Sequence, residues 1–209
     1  FLGEVFLDLP LPTSDPFPVD RCGKCQRCID SCPTGCILPN RTIDASRCIS
    51  YLTIENKGII PRELRPYMGN HIFGCDICQQ VCPWNHRKRN LVIDPELSPS
   101  IHPNLPLLMN EILLSETEFR VRYRNTPVYR AKRRGYLRNV AVALGNSKDD
   151  SVIPILSHTL INEEEELIRI HTAWALGQFQ TESARKTLNH ALKHEKSEQV
   201  LEEIILAIA

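Results

Sequence analysis

The 209-residue sequence lacks several features that would place it in a common class. It contains no run of 18 apolar residues, which argues against a membrane-spanning helix. It has no phosphate-binding glycine loop, no nucleophile elbow and no HExxH zinc signature, so the chemistries that depend on these motifs find no support. Nothing at its start resembles a secretory signal, and we therefore expect a cytoplasmic protein whose cysteines stay reduced.

Charge is distributed unevenly although its sum is zero. Lys and Arg number 25, and so do Asp and Glu. Residues 1–148 carry 20 basic and 14 acidic residues, whereas residues 149–209 carry 5 basic and 11 acidic residues. This asymmetry predicts a region that faces a polyanion beside an acidic region.

Cysteine is the most informative residue type in the chain. There are 9 cysteines, and all but Cys36 fall into two groups of four in which the last cysteine precedes a proline. The groups are Cys22, Cys25, Cys28 and Cys32 before Pro33, and Cys48, Cys75, Cys78 and Cys82 before Pro83. The spacing C-x2-C-x2-C-x3-C-P is typical of proteins with two [4Fe-4S] clusters, in which the fourth cysteine binds the neighbouring cluster.

This crossed rule divides the cysteines into two ligand sets. The first centre takes Cys22, Cys25, Cys28 and Cys82. The second centre takes Cys32, Cys48, Cys75 and Cys78. The second set is interrupted by an insertion of 26 residues, 49–74, which separates Cys48 from Cys75. Because folding around the metal holds this insertion near the second centre, we expect function-specific polar residues within it.

Other uses of the cysteines are less well matched. Zinc suits paired C-x2-C units but explains neither the third cysteine of the first group nor the two Cys-Pro steps. Disulfides suit small secreted scaffolds with an even number of cysteines, whereas this chain has nine and shows no secretory segment. The remaining Cys36 is expected to pack as a small buried hydrophobe, with replacement of Cys48 as a ligand as the open alternative.

The predicted fold class is mainly α, in three regions. Prolines make residues 10–20 an extended linker, and residues 1–20 are expected to be the end of an upstream domain together with this linker. Residues 21–100 are predicted to form a ferredoxin-like, loop-rich α+β domain whose core is the two clusters. Residues 101–209 are predicted to form HEAT-like helical repeats.

The repeats are indicated by an offset of 32 residues. Ala143-Leu144-Gly145 recurs as Ala175-Leu176-Gly177 and, less closely, as Ala207-Ile208-Ala209. Such helical hairpins cannot bury their apolar faces alone, so they stack; a plain helical bundle is the alternative. Within this region Ser115 with Glu118 predicts a capping box, and Gly145 predicts a helix end.

A basic segment, residues 120–138, precedes the first repeat. It contains eight cations and no acid: Arg120, Arg122, Arg124, Arg130, Lys132, Arg133, Arg134 and Arg138. Three tyrosines, Tyr123, Tyr129 and Tyr136, are interleaved. Positive charge favours phosphate contact and aromatic rings can stack on unpaired bases, so the segment predicts binding of RNA or single strands, with a solvated basic helix as the alternative.

Several strings of this sequence together resemble the epoxyqueuosine reductase family. They are FLGEVFLDLPL, CGKCQRCIDSCPTGCI, CISYLTIENKGIIP and GNHIFGCDICQQVCPWN, followed by the HEAT-like tail. The resemblance covers essentially the whole chain, as the C-terminal part of such an enzyme. SYLTIE and GCDICQQVCPWN are specific beyond general ferredoxin spacing.

The resemblance implies a reductase that converts epoxyqueuosine to queuosine at the wobble position of a tRNA with a GUN-type anticodon. It implies two [4Fe-4S] clusters that pass electrons from a donor protein or reductant to cobalamin, which attacks the epoxide. It further implies that the second centre lies nearer the corrin, with Ser50, Asp76 and Ile77 as corrin contacts and Lys57 as a tRNA contact. The family's cobalamin cradle and catalytic carboxylate belong mainly to an upstream domain, so residues 1–209 alone are expected to bind clusters without turnover, as a monomer.

Two other functions remain open at this stage. One is a corrinoid enzyme similar to reductive dehalogenases, against which the basic segment and the repeats argue. The other is a ferredoxin-type electron carrier fused to a helical interaction scaffold. Retention of cobalamin by the full-length protein separates the second from an epoxyqueuosine reductase.

Overall fold

The computed structural model describes residues 4–15, 19–85 and 105–209, and in the last range its side chains from residue 108 onward. The described chain is mainly helical, as predicted. Its α-helices, in chain order, are α1 Arg27–Asp30, α2 Ile49–Ile54, α3 Ile77–Gln80, α4 Leu105–Glu111, α5 Glu116–Tyr123, α6 Lys132–Asn146, α7 Ile153–Asn162, α8 Glu166–Gly177, α9 Glu182–His194 and α10 Glu198–Ile208. Short 3₁₀ helices lie between them at Ala45–Arg47, Arg62–Met68, Pro127–Ala131 and Asp150–Val152.

The predicted β component of the cysteine-rich region is not confirmed. Within the described residues no strand forms, and pairing is limited to one isolated antiparallel bridge between Ile37 and Ile43. The arms of this hairpin are short, because Leu38 N already bonds to Thr42 O at 2.9 Å around a turn that contains Pro39. The insertion contains α2 and the 3₁₀ helix Arg62–Met68.

The repeats at an offset of 32 residues correspond to helices α6, α8 and α10, which pack side by side. Gly145 lies inside α6 and Gly177 at the end of α8, and each faces an alanine of the next helix. A Cβ on Gly145 would lie 2.8 Å from the Cα of Ala175, and one on Gly177 would lie 2.8 Å from the Cβ of Ala207. Helix α6 ends one residue after Gly145, at Asn146, but the close approach of the next helix, not the helix end, is what requires glycine there.

The capping box is confirmed at the start of α5. Ser115 Oγ accepts from Glu118 N at 3.2 Å, and the Glu118 carboxylate accepts from Ser115 N at 2.9 Å. Among the described residues, no helix combines the length and the apolar character needed to cross a membrane.

The apolar core is continuous from the insertion to α10. Ile49, Leu52, Ile60, Leu64 and Met68 are buried and belong to the same cluster as the inner faces of α4 to α10. The insertion therefore packs as part of the helical region, although it lies between two cysteines of the other region. The predicted boundary near residue 100 falls outside the described residues and stays a prediction.

Candidate functional site

The four cysteines predicted for the first centre line one cavity. Its volume is about 290 Å³, and its wall consists of Cys22, Cys25, Cys28, Cys82, Arg21, Arg27, Pro83 and Trp84. Cys22 and Cys25 are exposed, while Cys28 and Cys82 are partly buried. The wall thus brings three cysteines of the first group to the last cysteine of the second group, which is the crossed arrangement that the spacing predicts.

Two matching one-turn helices position these cysteines. The residue before α1, Gln26, has φ −123° and ψ 10°, and the residue before α3, Asp76, has φ −120° and ψ 17°. The helices contact each other. After each helix the chain turns in the same way, with Cys32 N bonded to Ile29 O and Cys82 N bonded to Gln79 O, both at 3.3 Å. The equal spacing in the sequence therefore produces equal local structure.

The cysteines predicted for the second centre also lie close to one another. Burial raises the pKa of the Cys75 thiol, and the nearby Cys48, Cys78 and Cys32 raise it further. Burial likewise raises the pKa of the Cys78 thiol, and the nearby Cys48 and Cys32 raise it further. Burial also acts on Cys32, but hydrogen bonds with Thr34 and Cys36 outweigh it and lower its pKa to about 7.

Cys36 is buried beside the second centre. Its Sγ lies 3.4 Å from Cys32 Sγ, and its side chain is 4% exposed. Burial, followed by the neighbouring Cys32, raises the pKa of the Cys36 thiol to about 12. This environment agrees with the expectation of a packed, neutral thiol, but it also places Cys36 within reach of the same cluster.

The insertion is held against α6 by two adjacent buried side chains. Arg138 donates to Leu52 O at 2.6 Å, to Gly58 O at 2.7 Å and to Asn56 O at 2.9 Å. Asn139 adds contacts to two further carbonyls of the insertion. Arg138 is 0% exposed, so it cannot reach a phosphate, and its inclusion among the predicted tRNA contacts is corrected here.

The remaining cations of the basic segment differ in how available they are. Arg120, Arg124, Arg130, Lys132 and Arg134 are exposed. Arg130 pairs with Glu55 at 2.7 Å, and Arg134 donates to Lys57 O at 3.0 Å. Lys57 is exposed as well, and its Nζ donates to Ile54 O at 2.9 Å and to Arg130 O at 2.8 Å. These contacts join the segment to the end of α2 and leave a basic surface beside the insertion.

Arg122 and Arg133 are committed to internal ion pairs. Arg122 pairs with the buried carboxylate of Glu111. Arg133 makes a two-pronged contact with Glu163, and its side chain is only 17% exposed. Arg133 is therefore a weaker candidate for tRNA contact than the sequence suggests, whereas the Arg122 side chain is still 43% exposed and stays a candidate.

Two of the three interleaved tyrosines are also structural. Tyr123 and Tyr136 are buried, and both hydroxyls donate to Glu111 Oε2, at 2.8 and 3.0 Å. Their rings pack on Phe119. They cannot stack on a nucleotide base, and that expectation is corrected. Tyr129 is partly buried, with Lys132 Nζ 4.1 Å from its ring centre.

The residues predicted to contact cobalamin lie around the second centre. Ser50 is the second residue of α2, directly after Cys48 and Ile49, whereas Asp76 and Ile77 lie between Cys75 and Cys78. Asp76 is exposed, and Ser50 and Ile77 are partly exposed. All three therefore offer surface to a large ligand at this edge, which fits the role without showing it.

A buried polar connection between the insertion and the repeats could not be predicted from the sequence. Arg65 Nη1 lies 3.0 Å from Glu203 Oε2, and Arg62 pairs with the same carboxylate. Ile60 N donates to His171 Nε2 at 3.1 Å. The only signal is that Glu203 and His171 interrupt the apolar faces of α10 and α8.

No three His, Cys, Asp or Glu side chains of the described residues converge closely enough to hold a single metal ion. A [4Fe-4S] cluster makes a different demand, because its four thiolates each bind a separate iron. The cavity with four cysteines fits that demand.

Comparison with known families assigns both regions. Residues 21–85 match the family of 4Fe-4S double cluster binding domains, and residues 131–209 match HEAT repeats. The epoxyqueuosine reductase of Escherichia coli K12 is 44% identical over 179 residues, which are 85% of this chain and 46% of that protein. The epoxyqueuosine reductase of Pseudomonas aeruginosa is 45% identical over 182 residues, which are 84% of this chain and 48% of that protein.

Solved structures agree with the sequence comparison. Epoxyqueuosine reductase from Bacillus subtilis superimposes with a TM-score of 0.80 at 33% identity, covering 95% of this chain and 53% of that one. An epoxyqueuosine reductase solved with an epoxyqueuosine-modified tRNA stem loop has the same TM-score and identity, covering 94% of this chain and 52% of that one. The chain spans about half the length of the relatives it matches. Over most of its length this chain is similar in sequence and in fold to about half of an epoxyqueuosine reductase, and it matches the 4Fe-4S double-cluster and HEAT-repeat families over residues 21–85 and 131–209.

Proposed function

We propose that the protein reduces epoxyqueuosine to queuosine in tRNA, and that the described chain supplies its electron-transfer and tRNA-binding parts. Two [4Fe-4S] clusters are held by the crossed cysteine sets, and cobalamin is held at the edge of the second centre. The cofactors, when bound, supply single electrons and a strongly nucleophilic cobalt, respectively. The protein itself places the cofactors, shields them from water and binds the tRNA.

The observation that carries the proposal is the cavity shared by Cys22, Cys25, Cys28 and Cys82. A single-motif protein would not bring the last cysteine of one group to the first three of another. This arrangement, together with the proximity of the other four cysteines, supports two clusters that lie side by side. The chain can then pass electrons from an exposed entry at the first centre to a partly buried exit at the second.

The chain shields the two centres unequally. Trp84 forms part of the wall of the first cavity, with the Arg21 guanidinium 5.3 Å from its ring centre. The second centre adjoins the core, since Cys75, Ile72 and Phe73 pack against it. Limited access of water tunes cluster potential, so we expect the two clusters to differ in potential.

Cobalamin would meet Ser50, Asp76 and Ile77 at the edge of the second centre. Each is separated from a cysteine of that centre by no more than one residue, so electron transfer to a corrin there would cross few intervening atoms. The reaction itself also needs the part of the protein that matches the other half of the relatives' length, and we propose that residues 1–20 connect to it.

The tRNA partner is proposed from charge and from a relative. A structural neighbour binds an epoxyqueuosine-modified tRNA stem loop. In this chain Arg124 lines a cavity with Ile54 and Glu55 of the insertion, Arg134 donates to Lys57 O, and Arg120 is an exposed cation of the same basic segment. A phosphate backbone bound there would bring its anticodon loop towards the second centre. We place the protein in the cytoplasm, as a monomer that receives electrons from a separate donor.

The first experiment is anaerobic purification of the full-length protein with iron, sulfide and corrin analysis. We expect about eight iron atoms per chain and a corrin absorption band after incubation with cobalamin. Zinc in place of iron would refute the cluster proposal. Two clusters without cobalamin binding would instead favour a ferredoxin-type electron carrier.

The tRNA surface is tested by charge reversal. We expect Arg120→Glu and Arg124→Glu each to weaken tRNA binding and to reduce its salt dependence by about one unit of slope. Lys186→Glu is the matched control, because Lys186 is an exposed cation of α9 with a side chain 75% exposed. Equal effects of all three variants would indicate nonspecific attraction, and no effect would return the segment to a solvated basic surface.

A further inference from the structure

One buried hydroxyl joins the two ends of the insertion. Thr53 lies in α2, which begins directly after Cys48, and its side chain is 0% exposed. Its Oγ1 donates to Ile49 O at 2.8 Å and accepts from Gly74 N at 2.9 Å. Gly74 immediately precedes Cys75. The hydroxyl therefore connects the backbone beside one cysteine of the second centre to the backbone beside another.

The backbone conformation of Gly74 determines where its N–H points in this connection. Gly74 has a φ of +78°, a conformation that residues with a Cβ rarely adopt. The Gly74 N–H donates to Thr53 Oγ1, so this hydrogen bond fixes the direction of the backbone that leads into Cys75. A threonine hydroxyl can donate and accept at once, which valine of the same shape cannot do.

Asn139 of α6 holds the same two stretches from the other side. Its Nδ2 donates to Thr53 O at 2.8 Å and to Ile72 O at 2.9 Å. Its Oδ1 accepts from Arg138 Nε at 3.0 Å, which fixes the orientation of the amide. Both Asn139 and Arg138 are 0% exposed. The repeats thus reach the second centre through two layers of buried hydrogen bonds.

We infer that Thr53 is a positioning residue for the second centre, which sets the placement of Cys75 relative to Cys48, and that Asn139 supports it. This inference rests on the proposed assignment of these cysteines as cluster ligands. Hydrogen bonds behind metal ligands orient them and tune the metal, and cluster potentials respond to such bonds. Among the residues that the structure describes, no buried hydroxyl joins two cysteine-flanking stretches of the first centre in this way, and its three N-terminal cysteines lie within seven residues, Cys22 to Cys28.

The test is Thr53→Val in the anaerobically prepared full-length protein, with EPR-monitored redox titration of both clusters. We expect one of the two reduction potentials to shift, with a changed EPR signal for that cluster, and the other potential to stay constant. Thr53→Ser, which keeps the hydroxyl, should restore both. Thr172→Val is the matched control, because Thr172 is also 0% exposed and donates to the carbonyl four residues earlier, Ile168 O, at 2.8 Å.

The outcomes separate this inference from the function beneath it. A wild-type protein without iron would remove the proposed function itself. Two intact clusters with unchanged potentials in Thr53→Val, or an equal shift in Thr172→Val, would overturn only the positioning role. If Thr53→Val does not fold, Asn139→Asp takes its place, since it replaces the donor to Thr53 O by an oxygen. It should shift the same potential, and two unchanged potentials in it would overturn the inference.

Discussion

The two cysteine centres differ in what surrounds them. The first lines an open cavity near the surface, and two of its cysteines are exposed. The second centre has four partly buried cysteines and adjoins the apolar core. The insertion between two of its cysteines packs as part of the helical region. One spacing of cysteines thus yields two environments, because the insertion packs the second centre against the helical region. The first centre suits exchange with an external donor, and the second suits delivery to a bound ligand.

The largest expected effect is loss of one cluster when a ligand of the second centre is changed. Cys48→Ser should reduce iron from about eight to about four atoms per chain, because three thiolates and a hydroxyl hold a cluster poorly. Cys36→Ser should leave the iron content unchanged, since Cys36 is predicted to be a packed thiol. Iron analysis after anaerobic reconstitution measures both.

The reverse result would change the second ligand set. Loss of iron in Cys36→Ser but not in Cys48→Ser would make Cys36 the ligand, and its Sγ, 3.4 Å from Cys32 Sγ, would then have to move to reach a separate iron. Loss in both variants would mean that the cluster requires both thiols, and loss in neither would mean that each can replace the other.

The next largest effect concerns the buried ion pair that ties the insertion to α10. Glu203→Gln leaves Arg65 buried without its anionic partner. Burial, followed by the charge of Arg62, already lowers the pKa of Arg65 to about 9. Breaking a buried pair from one side typically costs about 3–5 kcal/mol. We expect a loss of that order in the free energy of unfolding, measured by urea denaturation, with the second cluster lost before the first.

Glu202→Gln provides the control for this variant. Glu202 is the adjacent residue of α10 and is exposed, so its change should alter stability by less than about 0.5 kcal/mol. If Glu203→Gln were equally mild, the connection between the insertion and the repeats would not stabilise the fold.

Much of this architecture could be predicted from the sequence, but the connection could not. The spacing of the cysteines predicts the crossed cavity, and the offset of 32 residues predicts the stacked helices. These are periodic signals that local chemistry enforces. The pairing of Thr53 with Gly74, or of Arg65 with Glu203, depends on how two distant segments pack, and no local pattern records it. The basic segment shows the same limit, because Arg138 looks like its exposed neighbours in sequence and is fully buried in the fold.

A smaller effect should appear in the order of cluster loss. The exposed thiolates of Cys22 and Cys25 leave the first cluster open to chelators and oxygen, whereas packing around Cys75 protects the second. In the unaltered protein, where the insertion stays packed, we expect the first cluster to be lost several-fold faster, and about tenfold would correspond to ~1.4 kcal/mol in activation free energy. Mössbauer or EPR spectra recorded during chelation follow the two populations. Simultaneous loss would indicate that the clusters protect each other and that the contrast in burial has no kinetic consequence.

The smallest expected effect is a pH dependence that originates beside the insertion. Burial, followed by the charge of Arg65, holds the pKa of His171 well below 6.5, and its Nε2 must stay unprotonated to accept from Ile60 N. The unfolded chain binds a proton at His171 below about pH 6.5 and the folded chain does not, so stability falls as pH drops through that value. The loss should reach about 0.8 kcal/mol near pH ~6. His171→Gln should flatten this dependence between about pH 6 and 7.5, whereas His158→Gln, at an exposed position of α7, should not. If the slope of unfolding free energy against pH were the same in both variants, acid would destabilise the protein through another group, and the hydrogen bond from Ile60 N to a neutral His171 would not stabilise the insertion.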